Sequence, residues 1–203
     1  MMSGAIQMED GVISTKALVE GFISELREIW RTESEDGARM SSARESLRRL
    51  ASHPQMQESS KTWPFTVGQN LLLHEDADYG FVLNAVVRPP GYKGGVHDHA
   101  DAWVLYGVVD GLERLERYER VDDGSVEGYA ELRLLSDSSG APGVVDIVPP
   151  FEIHAEKGAS PRSAALIVRS QRVVGRVMQN GYDPANRTVV KRWGPEQVPY
   201  NLT

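Results

Sequence analysis

From Trp63 onward the chain is built of short apolar, β-branched runs, each closed by glycine, proline or acidic residues. Runs of this length read as strands, because a helix that must bury one face needs a longer stretch with a three-to-four spacing. The segments predicted as strands are Gln69 to His74, Gly80 to Arg88, Ala102 to Val109, Leu112 to Val121, Tyr129 to Leu135, Val144 to Val148, Ala164 to Gln171 and Thr188 to Trp193. About eight strands with short connections can bury their apolar faces only by packing sheet on sheet or by closing a barrel.

The first third has a different texture. From Ser14, apolar residues fall at Leu18, Phe22, Ile23, Leu26, Ile29 and Trp30, the spacing of an amphipathic helix behind a capping Ser or Thr. Thr32 to Gly37 reads as an acidic linker, and a weaker helix is predicted from Ser42 to Ala51, with Leu47 and Leu50 inward and Pro54 beyond its end. The polar residues 1 to about 13 are expected to fray. The division that follows is residues 1–62 as a helical extension packed on the barrel and residues 63–203 as the barrel, one structural domain in all.

The stretch Gly94 to Gly111, G-G-V-H-D-H-A-D-A-W-V-L-Y-G-V-V-D-G, carries the chemistry. Side chains alternate along an extended chain, so His97 and His99 share a face and Asp98 takes the other. Two imidazoles on one face can share an ion, and a third ligand must come from elsewhere. His154 is best placed, because Pro149-Pro150 ends the run Val144 to Val148 and forces a bend that can present it inward. His53, beside a proline, and His74, in the acidic turn Glu75 to Asp78, read as surface residues.

Composition narrows what such a centre can be. There is no cysteine, which excludes disulfides, thiolate-bound zinc and a cysteine nucleophile. The 22 basic and 29 acidic residues give a net charge of −7 without a basic run, so nucleic acid is not an expected partner. Neither a leader pattern nor a membrane span is evident, and a soluble cytoplasmic protein is the expectation. An edge strand or the N-terminal helix offers a route to a homodimer.

These residues resemble the cupin superfamily, whose fold is a double-stranded β-helix of the jelly-roll type. The first cupin motif is matched by Gly91, His97, His99 and Gly111, while its glutamate slot falls at Trp103 or Val104. The second is matched by Gly143, Pro149 and His154. Within cupins, the three histidines without the glutamate and the H-D-H-x-D run are similar to the cysteine dioxygenase and related thiol dioxygenase family, over roughly residues 63 to 172. The resemblance implies a non-heme iron(II) centre on His97, His99 and His154 that uses O2 to oxidise a small thiol to its sulfinate; zinc, nickel and copper are also compatible with imidazole ligands.

Gln69 stands where cysteine dioxygenases carry a carboxylate-binding arginine, which resembles bacterial relatives acting on 3-mercaptopropionate. Arg169 or Arg172 is then a candidate to neutralise a substrate carboxylate, with Tyr106 and Trp103 as further lining residues. The family's Ser-His-Tyr run has no counterpart, since Ala164 to Gln171 reads A-A-L-I-V-R-S-Q. Two other readings therefore stand beside thiol oxygenation: a three-histidine dioxygenase that cleaves a carbon–carbon bond in a β-diketone or hydroxylated aromatic acid, and a cupin that only binds a small acid.

Overall fold

Three helices precede twelve strands in the computed structural model, which describes residues 13–202. The helices are α1 (Thr15–Thr32), α2 (Asp36–Ala51) and α3 (Pro54–Ser60). The strands are β1 (Gln69–Glu75), β2 (Val82–Arg88), β3 (Val96–His97), β4 (Val104–Asp110), β5 (Glu113–Arg120) and β6 (Leu132–Gly140), followed by β7 (Val145–Val148), β8 (Ile153–Gly158), β9 (Ser163–Arg169), β10 (Gln179–Asp183), β11 (Thr188–Arg192) and β12 (Glu196–Pro199). Two six-stranded sheets result, ordered β12-β1-β2-β9-β4-β7 and β11-β10-β3-β8-β5-β6. They form the expected mostly β, double-stranded β-helix with an N-terminal helical segment.

Helix α1 begins where Ser14 accepts a hydrogen bond from the Ala17 amide at 3.2 Å, capping an end whose first amides have no helical partner. Its buried face is Val19, Phe22, Leu26 and Trp30, with Leu18, Ile23 and Ile29 at the margin. Helix α2 starts six residues before the predicted Ser42, within the expected linker. Its first turns have few apolar residues to reveal a period, and Asp36 there complements the positive end of the helix. Helix α3 was not anticipated. Pro54 opens it, as proline can at a first helical position, and His53 caps it by accepting from the Gln55 amide. The expectation for residues 1–12 lies outside the described residues.

Central strands β2, β4 and β9 are buried at nearly every position because both faces of their sheet are covered. Leu83, Ala85, Trp103, Leu105, Leu166 and Val168 meet the helices in one large core, where Trp30 packs against Trp103 with ring centroids 5.4 Å apart. The opposite parity, including Val86, Val104, Tyr106, Val108, Ala165 and Ile167, lines the space between the sheets. Among the described residues the outer face of the second sheet has only a small buried cluster, Val96, Ile153 and Ala155.

Four strands escaped prediction. β3 and β12 are too short to show alternation, and β10 is polar in sequence. β8 follows a diproline and mixes His, Glu and Lys with apolar residues. No helix among the described residues is long and apolar enough to cross a membrane.

Candidate metal centre

β3 and β8 lie side by side with His97 and His154 in direct register, so both imidazoles leave the sheet on the same face. β3 ends at His97, and His99 lies just beyond it in a short loop that turns through Ala100 at φ 51°. Parity still holds across this break, because Asp98 is anchored on the opposite side. Its carboxylate accepts from the Asn180 amide at 3.0 Å, Asn180 Nδ2 at 2.6 Å, Tyr182 Oη at 3.1 Å and the Ala100 amide at 3.1 Å. Asp98 thereby fastens the loop to β10 and leaves His99 facing inward. On the other side of the cluster, the Phe151 amide donates to Ala100 O at 2.7 Å, tying the bend after Pro149-Pro150 to the same loop.

One ring nitrogen from each of His97, His99 and His154 lies within 4.8 Å of the other two, and the ring centroids are 4.4 to 4.9 Å apart. His97 Nδ1 lies 2.9 Å from Gly95 O, and His154 Nδ1 lies 3.1 Å from Glu152 O. Donation from Nδ1 to a carbonyl fixes the tautomer that leaves Nε2 free as a ligand. His154 Nε2 and His99 Nδ1 are buried without an aligned hydrogen-bond partner, a condition that costs about 1–3 kcal/mol per group unless something binds there. Three convergent imidazoles with unspent buried nitrogens fit a divalent metal ion. Burial, reinforced by His154, lowers the pKa of His97 to about 3, and burial with His97 beside it holds His99 well below its ordinary value. Both are neutral, as ligands must be.

The other predicted residues divide. A cavity of about 350 Å³ opens beside the histidines, and Gln69, Tyr106 and Arg169 line it. Gln69 sits at its mouth and donates its amide to Glu196 at 2.9 Å. Tyr106 donates to Glu113 at 2.7 Å. Arg169 is 5% exposed, donates to Asn84 Oδ1, and has no carboxylate within ion-pair distance among the described residues. Trp103 and Arg172 lie elsewhere. Trp103 has the opposite parity to Val104 and faces the helices, while Arg172 pairs with Glu75 outside the cavity. His53 is the cap of α3, and half-buried His74 stands 3.4 Å from Asp76.

Two acidic residues in the interior were missed from sequence. Glu156 follows His154 by two positions on β8 and therefore points the same way, with Oε1 3.2 Å from His154 Nε2. Burial disfavours its charge, but His154, His97 and Arg88 outweigh that and hold its pKa well below the carboxylate range. The same contact raises His154 despite burial. Arg88 bridges Glu156 Oε2 at 3.4 Å and Glu113 Oε2 at 3.3 Å. Recognising β8 as a strand would have exposed the H-x-E parity.

No protein-family model matches the chain, and no curated protein matches it. Solved structures with a similar fold include the Schizosaccharomyces pombe Cnp3 cupin domain, at 12% identity and TM-score 0.40, covering 51% of this chain and 60% of that one. A Klebsiella pneumoniae protein with a double-stranded β-helix domain aligns at 13% identity and TM-score 0.41, over 66% of this chain and 88% of its own. An oxalate oxidase in complex with glycolate aligns at 17% identity and TM-score 0.37, over 45% of this chain and 42% of its own. The chain thus spans 60% of the first of these and under half of the oxalate oxidase.

Proposed function

We propose that the chain is a non-heme iron(II) oxygenase that converts a small thiol carboxylate, of the 3-mercaptopropionate type, to its sulfinate. The observation that carries the reading is Arg169, a buried guanidinium with no counter-ion among the described residues, lining the same cavity as His97 and His99. A cation buried without a partner is costly, and burial already lowers its pKa to about 10. It stays charged at neutral pH and is best satisfied by an anion that enters with the substrate.

Charge balance points the same way. Arg88 already pairs with Glu156, which lines the cavity, and with Glu113 behind it, while among the described residues Arg169 and Arg192 line the cavity and pair with neither. His97 and His99 are neutral and a bound ion requires the same of His154, so a dication on them leaves an excess of positive charge that favours an anionic substrate. His97, His99 and His154 would hold the ion, which supplies the redox chemistry that joins both atoms of O2 to sulfur: RSH + O2 gives RSO2H, sulfur losing the four electrons that O2 gains. Val86, Val104 and Ile167 give the cavity apolar walls. Arg169 positions the carboxylate, and Gln69 stands at the entrance.

Oxygen uptake by the iron(II)-loaded protein, with cysteine, 3-mercaptopropionate and a β-diketone offered separately, tests the proposal. Uptake with a thiol, with sulfinate as product and loss in His154→Ala, supports it. Uptake only with the diketone replaces it by carbon–carbon cleavage, and tight binding of small acids without uptake replaces it by a binding role.

A further inference from the structure

We propose that Glu156 is a fourth protein ligand of the metal, so that the centre is three imidazoles and one carboxylate, with the carboxylate supplied by the strand of His154. The inference rests on the metal-centre reading above and concerns how many positions the protein leaves open.

Glu156 is the only carboxylate that lines the cavity among the described residues. The slot on β4 where the motif places a glutamate holds Val104, which does face the cavity and offers nothing to a metal. On β8, His154 and Glu156 point inward while Ala155 between them packs outward. Glu156 Oε1 stands 3.2 Å from His154 Nε2. Two ligand atoms each about 2.1 Å from a shared ion and at right angles to one another are about 3.0 Å apart, so the pair already has nearly the spacing of neighbouring ligands. That contact lacks hydrogen-bond alignment from the imidazole, which leaves His154 Nε2 unspent.

The surroundings hold Glu156 in a one-oxygen posture. Its Oε2 faces Arg88, which is itself held by Glu113, and Glu113 accepts from Tyr106. A ligand carboxylate supported through its second oxygen is the usual arrangement behind a metal site. The backbone is fixed as well. Glu156 O accepts from the Gly94 amide at 3.1 Å, and a Cβ on Gly94 would lie 2.3 Å from that oxygen, so the loop leading to His97 needs glycine to approach β8 this closely.

The test is titration of the metal-free chain with Mn(II), reading affinity and the water-proton relaxation enhancement of the bound ion. Of six octahedral positions, four protein ligands leave about two for water and three leave about three. Glu156→Ala is expected to raise the inner-sphere relaxivity by about half and to weaken binding at least about tenfold. Glu156→Gln keeps the shape, removes the charge and is expected to weaken binding in the same direction. Asp137→Asn, which loosens the surface pair with Arg114 away from the cavity, is expected to leave the water count unchanged, and urea midpoints establish that each variant is folded. An unchanged water count in Glu156→Ala overturns the inference and leaves the three-histidine centre standing. Failure of the parent chain to bind Mn(II) or Fe(II) overturns both.

Discussion

Replacing Arg169 by methionine separates recognition from stability. The guanidinium donates to Asn84 Oδ1, and that oxygen also accepts from Gln197 Nε2 at 3.2 Å, so the substitution does not strand it. The lost charge-assisted hydrogen bond is worth about 1.5–3 kcal/mol. Removing a buried cation that lacks a counter-ion returns a desolvation cost of several kcal/mol, of similar size and opposite sign. Unfolding free energy is therefore expected to change by no more than about 1 kcal/mol, in either direction. Binding behaves differently. Loss of one partner from a desolvated charge pair costs about 2–5 kcal/mol, or about one and a half to three and a half orders of magnitude in Kd. Urea unfolding gives the first quantity. Anaerobic calorimetry with 3-mercaptopropionate on the metal-loaded protein gives the second, with 2-mercaptoethanol as a thiol lacking the carboxylate and expected to be indifferent to the change. Unaltered affinity for the thiol carboxylate, or a stability loss above about 3 kcal/mol, would refute the reasoning and make Arg169 a structural residue.

Asp98→Ala leaves the Asn180 and Tyr182 donors without their acceptor and frees the His99 loop; a stability loss of about 2–4 kcal/mol by urea unfolding and a weaker metal affinity are expected together. Leu47→Ala empties a fully buried position packed on Gly107, with an expected loss of about 2–5 kcal/mol and no change in metal stoichiometry by calorimetry. Gly111→Ala places a Cβ 2.1 Å from Arg162 O at a residue with φ +72°, so a marked fall in the thermal midpoint or in soluble yield is expected. The metal-free chain is expected to lose stability on acidification. His97 titrates at about 3 when folded and near 6.5 when unfolded, so the unfolded chain takes the proton first. This contributes about 1.4 kcal/mol per pH unit between those values, while His154, shifted upward, opposes it. A urea midpoint that stays flat from pH 6.5 to 4.5 would contradict the buried neutral state of His97.

Much of the architecture is legible in the chain because it is set by local rules. Alternation and turn residues mark β1, β2, β4, β5, β7 and β9 to within a few residues, and the apolar spacing from Leu18 to Trp30 marks α1. Parity alone puts His97 and His99 on one side of the chain and Asp98 on the other. The same rule did not reach His154 and Glu156, since the strand that carries them follows a diproline and is interrupted by charge.

Local rules state which residues share a face, and they are silent on what each face meets. The motif's glutamate slot fell at Trp103 or Val104, and Trp103 was expected to line the site; α2 and α3 cover one side of β4, and Trp103 packs on that side against Trp30 of α1, which leaves Val104 inside. Arg169 and Arg172 were equally open, and the pairing of β9 between β2 and β4 turned one inward while Glu75 claimed the other. The sequence by itself determined that strands would form and that two histidines would point together. The convergence of His154 and Glu156 on that pair, and the burial of Arg169 without a counter-ion, were decided by strand register and by what packs on each sheet, contacts between residues far apart in the chain.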